Sequence, residues 1–259
     1  MMKIVPALLL FALSGVEGLL ALSGVEPQDQ GEAREFKSAG GKLLRYRLFK
    51  PAGYDEKQKY PLVLFLHGAG ERGDDNAAQT KNGVRFFLQN QAKFPCFLVA
   101  PQCPAKFQWV DTPWGNPKHT IPAQPTEPMQ STIELLPALQ KEFPAVDPKR
   151  VYVTGLSMGG FGTWDLISRF PKKFAAAVPI CGGADEAQAP AIAKVPVWVF
   201  HGGNDDVVKT ARSRNIVAAL KAAGGSPKYT EYPGVGHGSW DQAYGEAELF
   251  PWLFSQKLP

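Results

Sequence analysis

The chain has 259 residues, which at roughly 150 residues per domain admits one or two domains, and hydrophobic and charged residues at 44% and 20% match a packed globular protein. These values exclude a disordered tail, a collagen-like repeat and a multispanning membrane protein. The 28 basic residues exceed the 24 acidic ones by four and are scattered, so nucleic acid is not an expected partner.

Residues 1–26 read as a leader. Lys3 precedes an apolar run of about ten residues, as in a secretory signal, so a secreted or periplasmic protein is expected, with no stable membrane insertion after processing. The repeat ALSGVE at 12–17 and 21–26 is a departure, placing Glu17 where cleavage should occur and interrupting any spanning helix of about 20 residues. A short anchor, a misassigned start codon and a cytoplasmic location are the competing explanations. Residues 27–38 read as a polar linker, and the domain proper as 39–259. Three cysteines cannot form the framework of a small disulfide-stapled domain, and all three read as thiols, with Cys181 in the core.

From there two kinds of segment alternate. LLRYRLF, PLVLFLH, CFLVAP, VYVTG, AAVPIC, VPVWVFH and PKYTEY read as strands, the middle ones too continuously apolar to have a wet face. NGVRFFLQNQ, STIELLPALQKEF, GGFGTWDLISRF, KTARSRNIVAALKAAG and a segment from Trp240 to Lys257 have helical spacing. The alternation predicts one α/β domain, a mostly parallel sheet with helices on both faces. Residues 101–129 break the rhythm with seven prolines and the aromatics Phe107, Trp109 and Trp114. An aperiodic loop of that length is expected to serve as a lid or pocket wall.

Chemistry in such a sheet gathers at the carboxyl ends of its strands. Gly155-Leu156-Ser157-Met158-Gly159 fits G-x-S-x-G between a strand and a helix, where glycines allow a sharp corner and the helix start offers free N–H groups. A serine hydroxyl needs a base to attack. His67 and His201, each before a glycine at a strand end, read as side chains hydrogen-bonded beneath loops, and His119 as surface. His237, in a glycine-flanked loop before the last helix, is placed as a base should be. An acid must then fix the imidazole, and Asp205 and Asp206 both stand at the end of the preceding strand, in the expected order Ser, Asp, His.

Gly68-Ala69-Gly70-Glu71-Arg72-Gly73 also fits the dinucleotide fingerprint G-x-G-x-x-G. Asp74 and Asp75 would repel a pyrophosphate there, and no acid for the ribose occurs from Asn76 to Val110. The loop makes better sense as an oxyanion hole, the N–H of Ala69 joining that of Met158. No histidine lies at ligand spacing with another histidine or cysteine, so no metal is expected.

FLHGAGERGDDN, PQCP followed by QWVD, GLSMGG, HGGNDDVV and GHGSWDQAY together resemble the carboxylesterase branch of the α/β-hydrolases, near dienelactone hydrolase, phospholipase/carboxylesterases, feruloyl and polyhydroxybutyrate esterases and so-called predicted peptidases. The resemblance spans about residues 40 to 257. It implies an eight-stranded, mostly parallel sheet, ester hydrolysis through an acyl-enzyme, no cofactor, and a loop at 101–129 leaving the strand beside that of the nucleophile. The family pattern H-G-x-x-D-x-x-V, laid over His201 to Val208, selects Asp205. The expected substrate is a small-molecule or polysaccharide-linked ester, with Trp109, Trp114 and Trp240 as an aromatic wall for feruloyl or sugar groups, Trp109 and Trp240 foremost. The alternatives are a peptidase using the same residues and an inactive binding protein of this fold. Nothing in the sequence bears on oligomeric state.

Overall fold

The computed structural model describes residues 31–259; the segment read as a leader lies outside them. Eight strands form one sheet in the order β1-β2-β4-β3-β5-β6-β7-β8. They are β1 (Glu32–Lys37), β2 (Leu43–Phe49), β3 (Tyr60–Leu66), β4 (Phe97–Pro101), β5 (Val146–Leu156), β6 (Ala176–Ile180), β7 (Trp198–Gly202) and β8 (Lys228–Tyr232). The pairs β1–β2 and β2–β4 are antiparallel, and every other pair is parallel.

The continuous apolar runs follow from burial on both faces. Leu62, Leu64 and Leu66 point into one core with Val151 and Val153, while Val63 and Phe65 point into the other with Tyr152. Over the first face lie α2 (Glu127–Glu142), α3 (Met158–Arg169), α4 (Ala189–Ile192) and α5 (Ala211–Ala222); α1 (Val84–Gln89), α6 (Trp240–Tyr244) and α7 (Leu249–Ser255) cover the second. No helix among the described residues is long and apolar enough to cross a membrane. Cys96, Cys103 and Cys181 are free and buried.

Three sequence expectations need correction. The stretch assigned to a polar linker contains β1, which escapes notice because an edge strand keeps little apolar surface. Only Arg34 and Phe36 are half-buried, Arg34 lying over the rings of Tyr46 and Phe143. The single C-terminal helix is two, α6 ending at Gly245. Finally, β4 does not adjoin the serine's strand β5, because β3 lies between them. From β3 the chain passes to β4 on one side and then crosses back over β3 to β5 on the other, and the carboxyl end of β3 is therefore a point where the winding reverses, the usual place for a ligand.

Candidate active site

Ser157 stands between β5 and α3 with φ 54° and ψ −118°, a conformation that L-residues avoid. Packing enforces it. A Cβ at Gly159 would lie 1.9 Å from the Leu66 carbonyl oxygen, and one at Gly155 would lie 2.4 Å from that of Gly159, so strand and helix meet at a separation only glycine permits. The Ser157 N–H donates to Ile180 O at 2.9 Å, tying the corner to the end of β6.

His237 reaches this corner from the loop after β8. That loop is fastened to the end of β7 by Gly203 N–H to Tyr232 O at 2.8 Å and Asn204 N–H to Val235 O at 2.9 Å. The imidazole Nε2 lies 2.8 Å from Ser157 Oγ, and Nδ1 lies 2.7 Å from Asp205 Oδ2. An ionised carboxylate only accepts, so Nδ1 carries the proton and Nε2 offers its lone pair to the serine hydroxyl, the tautomer a base requires.

Asp205 is anchored as firmly. Its Oδ1 accepts from the N–H groups of Val207 and Val208 at 2.9 Å each, and its side chain is fully buried. Burial alone would raise its proton affinity, but hydrogen bonds from His201, His237 and Val208 outweigh that, holding the acid well below the usual carboxylate range. Asp206, the other candidate, is exposed.

Beside the serine, Met158 opens α3, whose first N–H groups have no carbonyl four residues back. Ala69 heads a 3-10 turn after β3. His67 shapes that turn: its Nδ1 donates to Gly68 O at 2.6 Å, fixing the peptide whose other end is the Ala69 N–H, and its Nε2 accepts from Cys103 N–H at 2.9 Å. Arg72 Nε donates to Ala69 O at 2.9 Å.

The loop from 101 to 129 is held at several points. Arg72 reaches Phe107 O, Arg212 donates to Asn116 O, Asp185 accepts from Ile121 N–H, and Arg169 donates to Pro122 O. His119, read as surface, is half-buried against Arg212. Trp109 overturns its expected role as an aromatic wall. It is 0% exposed, its indole N–H donates to His67 O at 3.0 Å, and its ring meets that of His67 edge-on at 5.2 Å. An indole this close to a strand end is captured by the core beneath the loop. Trp240 is half-buried, with its ring 5.8 Å from that of His237 and nearly perpendicular to it.

Among the described residues, Cys181, Asp205 and His237 carry potential metal-ligand atoms within 4.8 Å of one another. They do not suit a cation, because the Asp205–His237 hydrogen bond already joins two of those atoms and burial pushes the Cys181 thiol's pKa up, disfavouring the thiolate a metal needs. Sequence reasoning placed His201 beneath a loop without its contact to Asp205; the only signal was a histidine four residues before the acid at a strand end.

The profile of the Dienelactone hydrolase family matches residues 122–245. A crystal structure described as a thermostable esterase is 41% identical, superimposes with a TM-score of 0.82 and covers 89% of this chain and 64% of its own. A bifunctional acetylxylan esterase/xylanase, XynS20E of Neocallimastix patriciarum, is 38% identical over 152 residues, 57% of this chain and 20% of that protein. A ferulic acid esterase structure shares the fold with a TM-score of 0.65 at 20% identity, covering 86% of this chain and 97% of its own. The chain thus spans about a fifth of that acetylxylan esterase/xylanase and about two thirds of the thermostable esterase. The reversed winding at β3, the serine corner after β5 and these similarities together give the chain the α/β-hydrolase fold and make it similar to esterases built on that fold.

Proposed function

We propose that this chain is a serine ester hydrolase working through an acyl-enzyme. The observation that carries the reading is the unbroken hydrogen-bonded relay from Ser157 Oγ through His237 to Asp205. Ser157 Oγ attacks the ester carbonyl carbon while its proton passes to His237 Nε2. The carbonyl oxygen gains negative charge, held by the N–H groups of Ala69 and Met158. Collapse of the tetrahedral species breaks the bond to the alcohol, which leaves with the proton from Nε2. Water then attacks the acyl-enzyme with His237 again as base, and the carboxylic acid is released. Asp205 keeps the imidazole in its working tautomer and stabilises its transient positive charge.

The similarity to an acetylxylan esterase and the fold shared with a ferulic acid esterase support acyl groups carried on plant polysaccharides as the substrate class, with residues 1–26 directing export. The test is a panel of p-nitrophenyl acyl esters, methyl ferulate, acetylated xylan and peptide anilides. Turnover of the esters, with acetylated xylan or methyl ferulate favoured and the anilides left intact, is the expected result. Preference for the anilides would replace the esterase reading with a peptidase, and no turnover of any member would leave a binding protein.

A further inference from the structure

His201 is the last residue but one of β7, two strands away from the serine's own, and is fully buried. Its Nε2 lies 2.9 Å from Val208 O and 3.1 Å from Asp205 Oδ2, and its Nδ1 lies 2.7 Å from Ser213 Oγ in α5. A carbonyl oxygen only accepts, so Nε2 carries a proton; in the singly protonated ring Nδ1 then accepts from the Ser213 hydroxyl. The imidazole thus closes the turn from Asp205 to Val208 through the Val208 carbonyl. The positive end of the same N–H dipole sits against the carboxylate oxygen that holds His237.

We infer that His201 is a positioning residue of the hydrolytic reaction, orienting the Asp205 carboxylate and sharing its charge with His237, and that Ser213 sets the tautomer in which it does so. The inference rests on the relay proposed above. It gives one carboxylate oxygen two imidazoles, the reacting one at 2.7 Å and a fixed one at 3.1 Å. The second tempers the first: with the His201 N–H removed, the undiluted charge of Asp205 would favour the protonated form of His237 and oppose its action as a base.

The other charged or titratable groups around this pair do not compete for the role. Glu231, paired with His201 across β7 and β8, is engaged by Arg214 and Tyr229. Cys181, near Asp205, has its pKa pushed up by burial.

The test is a double-mutant cycle of His201→Leu with Asp205→Asn, with His201→Gln as the conservative variant and kcat/KM followed against pH. His201→Leu should lower kcat about ten- to a hundredfold, the usual loss when a hydrogen bond to a charged group is removed, with KM little changed. It should also move the acid limb of the profile to higher pH. His201→Gln, whose amide N–H can reach the same oxygens, should recover most of the rate and the wild-type limb. In the Asp205→Asn background, His201→Leu should add little further loss. Should His201→Leu fail to fold, Ser213→Ala provides the same reading, with a smaller upward shift of the limb. Full additivity with Asp205→Asn, or an acid limb that stays put in Ser213→Ala and in every folded His201 variant, would overturn the inference while leaving the relay intact. An active Asp205→Asn would instead overturn the relay.

Discussion

Asp205 and Asp206 are adjacent in sequence and face opposite worlds, one buried beneath His237 and the other exposed. Spacing alone did not separate them; the family pattern favoured Asp205, and the geometry explains the preference, since only Asp205 receives the Val207 and Val208 amides and an imidazole together. Asp205→Asn should therefore lose about ten-thousandfold in kcat by favouring the wrong histidine tautomer, whereas Asp206→Asn should stay near the wild-type rate. Steady-state kinetics of the two variants on p-nitrophenyl acetate checks this, and a reversed order would contradict it. Ser157 and His237 could be picked out as candidates because each sits in a glycine-flanked corner at the end of a strand. His201 could not, because its contact to Asp205 depends on how the turn after β7 folds back.

Elements show where patterning misleads. Trp109 follows a strand end in a proline-rich loop, which from sequence suggested a pocket wall, yet the loop folds over it and its indole N–H finds the carbonyl of His67. Its truncation should then act on stability: Trp109→Ala should cost about 3–5 kcal/mol and lower all ester activities together. Trp240, half-buried at the start of α6 and edge-on to His237, should behave oppositely. Trp240→Ala should keep the wild-type melting temperature and change kcat/KM by about two- to tenfold, the usual worth of one aromatic contact. Thermal melts beside kinetics on methyl ferulate and p-nitrophenyl acetate separate the two cases. β1 was missed for a related reason, since its sequence EAREFK lacks the apolar alternation that marks a half-buried strand.

For the molecule as a whole, the central strands were visible as hydrophobic runs, because a sheet buried on both faces leaves a continuous trace there. Strand order was not visible, because the same runs would serve either side of β3. Whole-molecule stability carries its own signature of buried polar groups. Burial lowers the pKa of His67 to about 4, and burial with the nearby Arg212 charge lowers that of His119 to about 4. Both folded values lie below the ordinary 6.5, so the unfolded chain binds more protons between pH 6.5 and 4, and stability should fall as pH drops through that window. The melting temperature of wild type should decline across it, and His119→Gln, which can still accept from Arg212, should decline less steeply. Parallel curves would show that His119 does not contribute.

The central claim is that Ser157 carries the acyl group. Wild type and Ser157→Ala, treated with a fluorophosphonate and read by intact-mass spectrometry and peptide mapping, test it most directly when p-nitrophenyl acetate turnover is followed in the same samples. The account predicts one adduct on wild type, mapped to Ser157, no adduct on the variant, and turnover lowered on the order of a millionfold. A folded Ser157→Ala protein that still takes the label, or still hydrolyses the ester at a substantial fraction of the wild-type rate, would contradict it.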